Sequence, residues 1–233
     1  MGAGDADLTA AKAIADLTRE LRRTVPAPRT APHFLLDSDL EYDPTVLDAL
    51  SSPGIFRKYE FVLLFNSGLG GTARWLSRRL SCRVLGIDAD VERIGAAGML
   101  NGLARMNDEV SFSAAASDRL PFRDRVFTHV WTIDPPPQDR SSDVLTEAFR
   151  VLRSGAHFAL QTPVTEPEEL EGIVQTLARA GFSDFSTRRA ALLPLDQTTT
   201  LARTRLRLRL PGGPGGEREG APTSCTQIFC RRS

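Results

Sequence analysis

EFVLLFNSGLGGTARWLSRRLSCRVLGID, Glu60 to Asp88, runs in a telling order: an apolar run, a Gly-rich turn, an amphipathic helix, and a second apolar run that ends in an acid. That order is the sequence form of a βαβ unit that holds a nucleoside-containing ligand at its first turn. Phe61 to Phe65 is short and continuously apolar, as suits a parallel strand covered on both faces. Gly68, Gly70 and Gly71 let the backbone turn sharply and approach a ligand closely, because no Cβ intervenes. A helix opening at Thr72 would aim free N–H groups at that space. Asp88, about twenty residues on, falls where a carboxylate can accept both ribose hydroxyls.

Downstream, the pattern repeats strand, helix, strand: Val91 to Met106 helical, Val110 to Ala115 extended, Phe127 to Asp134 extended, Ser141 to Leu152 helical, His157 to Thr162 extended and Glu168 to Ala180 helical. Such alternation predicts right-handed crossovers and a parallel sheet with helices on both faces. The tail reads differently. Thr198 to Leu210 and Ser224 to Arg231 are expected as two strands around PGGPGGEREGAP, a segment too rich in Gly and Pro to be regular. TRLRLRL would set Arg203, Arg205, Arg207 and Arg209 on one strand face and Leu206, Leu208 and Leu210 on the other, a charge-protected edge. Upstream, Asp7 to Arg23 predicts a helix with Ala10, Ile14, Leu17 and Leu21 on one face, and the Pro-rich 24–33 stretch breaks regular structure. Two units follow: residues 1–33, an N-terminal helix and linker, and residues 34–233, the α/β domain.

The 233 residues, 41% hydrophobic, are long enough for one α/β domain with a large core and an appendage. A formal net charge of zero argues against a nucleic-acid binder with a broad basic surface. Cys82, Cys225 and Cys230 are odd in number and scattered, as in a reducing compartment, and five residues of strand would point Cys225 and Cys230 to opposite faces. No metal site is expected. No apolar run reaches the length of a membrane span and the first residues lack a signal pattern, so a cytoplasmic location is expected. His129 and His157 fall in core strands, and His33 in the linker, so the histidines form no catalytic set. DPPP at Asp134 to Pro137 reads as a rigid turn at the carboxyl end of a strand.

The residues resemble a family. VLLFNSGLGGTARWLS (Val62 to Ser77), GID (Gly86 to Asp88), AASDRLPFRDRVFTHVW (Ala115 to Trp131) and RVLRSGA (Arg150 to Ala156) resemble the class I S-adenosylmethionine (SAM) dependent methyltransferases of the small-molecule kind, near the glycine/sarcosine, tocopherol and ubiquinone enzymes. The resemblance covers a little under half the chain. It implies a Rossmann-like class I methyltransferase fold: α/β, a seven-stranded, mainly parallel sheet with an antiparallel C-terminal hairpin. It implies SAM as cofactor and a small-molecule methyl acceptor. Asn66, Ser67, Gly68 and Gly70 would cradle the methionine end, Asp88 would hold the ribose and Ala89 would flank the adenine. Ser117 and Asp118 would read the adenine edge, with Ile133 beneath. Asp134 and Gln138 would line the acceptor side, and Tyr42 or Tyr59 would close it. Family members often use an N-terminal helix as a lid. No catalytic residue is assigned, because displacement at a sulfonium needs chiefly alignment and exclusion of water.

The chain also departs from the family pattern. Leu64 stands where an acid closes the first strand, Asn66 replaces the first motif glycine, Ala116 replaces the acid that reads the adenine amino group, Thr128 that of the later FDxVW motif, and Gln138 a histidine. Two readings therefore stand beside the methyltransferase: a non-catalytic, methyltransferase-like scaffold or partner of an active subunit, and a different small-molecule reaction in a repurposed pocket. The assembly expected is a homodimer, or a heteromer with an active methyltransferase if the chain is the non-catalytic partner.

Overall fold

A computed structural model describes residues 3–26, 36, 43–54, 56–57, 59–135, 137–195, 197–209 and 222–233. Seven strands form one sheet: β1 (Phe61–Phe65), β2 (Arg83–Asp88), β3 (Val110–Ala114), β4 (Phe127–Ile133), β5 (Leu152–Thr162), β6 (Phe182–Ala191) and β7 (Ser224–Arg232). Their order is β3-β2-β1-β4-β5-β7-β6. β1 pairs in parallel with β2 and β4, β2 with β3, and β4 with β5, while β7 runs antiparallel to both β5 and β6. The order reverses between β1 and β4, and in such sheets the cleft that takes a ligand opens at the carboxyl ends flanking that reversal.

Side chains alternate across the sheet, and each face has its own core. One face sets Leu64, Trp131, Ala159, Cys225 and Phe229 against α1 (Ala3–Thr24), α2 (Val46–Ser51), α3 (Gly71–Leu80), α4 (Val91–Ala104) and α7 (Gln197–Arg209). The other packs Leu63, Phe65, Val130, Phe158, Leu160, Ile228 and Cys230 against α5 (Ser142–Val151) and α6 (Pro167–Arg179). Both-sided burial is why the central strands read as unbroken apolar runs. Cys225 and Cys230 join opposite cores, as their spacing requires. In α1 the expected stripe of Ala10, Ile14, Leu17 and Leu21 is buried, and the helix packs on α4 and α7.

One expectation is corrected. Residues 198–209, read as a strand, form α7, and the sixth strand lies earlier, in β6. The Arg/Leu alternation coexists with a helical stripe: Thr199, Ala202, Arg203 and Leu206, at i, i+3, i+4 and i+7, are buried, while Leu201 and Arg205 are exposed. Packing against α1 makes that stripe the deciding period, and Arg205 meets Glu20 of α1 at 3.7 Å. β6 escaped notice because its alternation is broken by Asp184, which adopts a left-handed φ of 56° at a register shift between Ser183 and Ser186. The antiparallel pair at the C-terminal end of the fold is thus β6 with β7, and α7 lies between them in the chain.

Candidate functional site

The turn after β1 is built from left-handed backbone: Asn66, Gly68 and Gly70 have φ of 51°, 54° and 80°. Asparagine tolerates this region better than most residues, which explains how it stands at a glycine position. Ser67 N–H donates to Ile87 O (2.9 Å) and Gly70 N–H to Ser67 O (2.9 Å), so the turn is tied to β2 and closed on itself. Gly70 is required for a further reason: a Cβ there would lie 2.3 Å from Cζ of Phe112, whose ring packs over Gly70 and Gly86. No side chain caps the N-terminus of α3, which follows Gly70.

Asp88 ends β2 beside this turn. Its side chain is buried, with Oδ2 accepting from Gly68 N–H (3.1 Å), Oδ1 accepting from Asp90 N–H (3.0 Å), and Arg93 Nη1 3.6 Å from Oδ2. Each carboxylate oxygen has a second lone pair, so these bonds orient Asp88 without exhausting its capacity to accept. Ala115 N–H donates to Asp88 O (3.0 Å), which draws the next segment against it, and Arg119 N–H donates to Ala116 O (3.2 Å) to close the turn at 116–119. Exposed Ala89 follows Asp88 directly, and exposed Ala116, half-buried Ser117 and exposed Asp118 follow the residue bonded to it. Ile133 ends β4, and Asp134 follows with a left-handed φ of 45° and its N–H on Gln161 O (2.8 Å). Gln138 lies in the short 3-10 turn Pro137–Arg140 that follows.

Asn66, Ser67, Gly68, Gly70, Asp88, Ala89, Ser117, Asp118, Ile133 and Asp134 therefore share the carboxyl edge of the sheet. Tyr59 does not. It precedes β1 at the opposite edge, 63% exposed, where its hydroxyl accepts from Arg57 Nη1 (2.5 Å). Tyr42 lies outside the described residues. Leu64, at the position of the family's acid, is 1% exposed within the apolar core and paired in register with Gly86 and Trp131. His129 is a core residue: its ring stacks on Phe56 (4.2 Å) and His157 (5.4 Å), and burial, reinforced by His157, lowers its pKa to about 3. A cavity of about 260 Å³ lined by Pro53, His157, Asp184 and Arg231 among others opens toward β6, away from the turn, and belongs to a different part of the fold.

Two elements escaped the sequence reading. Arg74 of α3 is 1% exposed, and its guanidinium donates to Leu36 O (2.6 Å), Leu69 O (2.9 Å) and Ala97 O (3.5 Å), bracing the Gly-rich turn from behind. The only available signal was an arginine within a run of residues that α3 buries completely from Gly71 to Ser77. The second is the pair Glu147 and Arg150, three apart on α5, which reaches the loop following the turn at 116–119.

Residues 62–155 match the model of a methyltransferase domain family. A sarcosine/dimethylglycine N-methyltransferase of Halorhodospira halochloris is 31% identical over 121 residues, which is 50% of this chain and 42% of that one. A sterol 24-C-methyltransferase of Gibberella zeae is 28% identical over 115 residues, 47% of this chain and 30% of that one. This chain thus spans less than half the length of both curated relatives. Among solved structures, the 4+2 cyclase SpnF superposes with a TM-score of 0.63 at 14% identity, covering 94% of this chain and 93% of that one. The sheet order is that of a Rossmann-like fold, and with the motif turn it places the matched segment, residues 62–155, among methyltransferase domains, which this chain resembles in both sequence and fold.

Proposed function

We propose that the protein transfers a methyl group from SAM to a small-molecule acceptor. The observation that carries this reading is the joining of the left-handed 66–70 turn to Asp88 through Gly68 N–H at the carboxyl ends of β1 and β2. The residues fit the cofactor in three respects. The uncapped N-terminus of α3 offers backbone N–H groups to a carboxylate. Ser67 Oγ is buried beside the turn and has no hydrogen-bond partner among the described residues. Asp88 is oriented with acceptor capacity to spare for the ribose. When bound, SAM supplies an already activated methyl group on a sulfonium, and transfer is an in-line displacement. The chain's part is alignment: Gly68 and Asp88 set the nucleoside's depth, the turn at 116–119 sets the adenine, and Ile133 with Asp134 forms the floor on the acceptor side. No protein base is required of an acceptor that is already nucleophilic.

In this reading α1, docked on α4 and α7, serves as a lid over the acceptor, and the protein works in the cytoplasm. Among the described residues no helix is long and apolar enough to cross a membrane. One observation favours the non-catalytic alternative, with the fold kept as a scaffold: hydrocarbon fills the place of the family's first acid, at Leu64. Isothermal calorimetry with SAM and S-adenosylhomocysteine separates the two. Micromolar binding supports the enzyme; millimolar or undetectable binding refutes it and leaves the scaffold.

A further inference from the structure

We propose that Glu147 and Arg150 are positioning residues that hold the turn at 116–119 in place for adenine selection. This rests on the cofactor reading above. Arg150 commits all five of its N–H donors: Nε to Glu147 Oε1 (2.6 Å), Nη1 to Phe122 O (2.8 Å) and Asp124 Oδ1 (2.8 Å), and Nη2 to Leu120 O (3.1 Å) and Glu147 Oε2 (2.8 Å). Glu147 Oε2 in turn accepts from Leu120 N–H (2.7 Å). Both backbone polar groups of Leu120 are therefore captured by one ion pair on α5. An ordinary i, i+3 pair on a helix surface involves no third segment and contributes little. Here the pair grips a loop, and the fork geometry of the guanidinium is what lets one side chain reach two carbonyls and two carboxylates at once.

The location of that grip gives it consequence. Leu120 is two residues beyond Asp118 and three beyond Ser117. On the other side the chain is fixed by Ala115 N–H on Asp88 O (3.0 Å), the residue assigned to the ribose. Only residues 116–119 are left between the two anchors, and they are closed by Arg119 N–H on Ala116 O. The far end of the loop is also held, by Arg125 N–H on Arg150 O (3.1 Å) and by Phe122 packed edge-on against Phe127 (5.3 Å between centroids). Because no acid stands at Ala116, adenine selection depends on where the backbone of Ser117 and the side chain of Asp118 are held. In this arrangement α5 sets that position.

The test uses Arg150→Lys, which keeps the charge and loses the fork, with Asp124→Ala as a control that removes only the exposed end of the network. Hydrogen exchange on the ligand-free protein is read at residues 116–122. We expect at least tenfold faster exchange there in Arg150→Lys, with α3 and β4 unchanged and the Asp124→Ala pattern like wild type. Binding is read with S-adenosylhomocysteine and with its hypoxanthine analogue, S-inosylhomocysteine. We expect Arg150→Lys to lose about tenfold in affinity for the first and to narrow the preference over the second, which a general loss of stability would not do. If Arg150→Lys does not fold, Glu147→Gln, close in shape, takes its place in both measurements. Unchanged exchange at 116–122 overturns the proposal, and so does weaker binding with the adenine preference intact. Altered exchange in a protein whose wild type binds neither ligand would instead refute the cofactor reading while leaving the loop anchor standing.

Discussion

Restoring two of the three missing acids, at Leu64 and Ala116, one at a time should give opposite results, because the structure places them in opposite environments. Leu64 is 1% exposed in the core formed with Trp131, whereas Ala116 is exposed at the edge of the proposed adenine site. Leu64→Asp removes a buried leucine, about 1.5–3 kcal/mol. It also buries a carboxylate with no partner in sight, a penalty of several kcal/mol whether it stays charged or takes up a proton. The sum is at least about 5 kcal/mol, comparable to the whole stability of many domains. At roughly 2–4 °C per kcal/mol for a chain of this size, Tm should fall by about 10–20 °C. Ala116→Asp, on the surface, should change stability by no more than about 0.5 kcal/mol. If its carboxylate gains a hydrogen bond to the adenine amino group, affinity should rise by about 1.5–3 kcal/mol, roughly ten- to a hundredfold. Differential scanning calorimetry and titration with S-adenosylhomocysteine read both. A Leu64→Asp protein that melts within about 2 °C of wild type and binds more tightly would show that the core can admit the family's acid. An Ala116→Asp protein of unchanged affinity would show that the turn at 116–119 does not face adenine.

Asp88→Ala removes both the proposed ribose acceptor and the anchor of Gly68 N–H, and titration should show SAM affinity lower by about ten- to a hundredfold; an unchanged dissociation constant would mean the ligand is held elsewhere. Gly70→Ala forces a Cβ toward Phe112 at a φ of 80°, and should cost about 1–3 kcal/mol in chemical denaturation, partly recovered in a double mutant with Phe112→Leu; equal losses in the single and double mutants would place the strain outside this contact. Stability should also fall with acid through His129. Its folded pKa of about 3 lies below the ordinary 6.5, so the unfolded chain binds the extra proton and the contribution, complete above about pH 6.5, is lost as pH falls toward 3. That amounts to about 2 kcal/mol between pH 7 and pH 5, and His129→Leu should flatten the slope in urea melts; an equal slope in the variant would assign the acid sensitivity to other groups.

The parts of this fold that were legible in sequence are those whose signal is local. β1, α3 and β2 follow within thirty residues, each ended by a turn residue or an acid, and their both-sided burial leaves an unambiguous apolar run. The C-terminal third was misread where the signal depended on a distant partner. In 198–209 the sequence carries both a period of two and a helical stripe, and α1, nearly two hundred residues away, selects between them. In β6 a single bulge at Asp184 erased the alternation that would have revealed the strand.

The same distinction separates the site's residues. Glycines and Asp88 can be read from spacing because backbone geometry imposes the spacing; Arg74 and the Glu147–Arg150 pair cannot, because their partners are carbonyls in other segments and carbonyls leave no mark in a sequence. Leu64 shows the limit from the other side. By motif it is a lost acid, and loss suggests decay. By structure it fills a core position against Trp131 at full burial, and Asn66 beside it adopts the left-handed backbone of the glycine it replaces. Decay would remove ligand contacts without regard to the turn's conformation. Here the conformation, the tie from Gly68 to Asp88 and the anchors on both sides of residues 116–119 are all kept, so the changes leave in place the backbone geometry that shapes the cleft. That pattern favours a pocket refitted with its scaffold intact over one abandoned, and it makes the affinity of the unaltered protein for S-adenosylhomocysteine the measurement on which the functional reading turns.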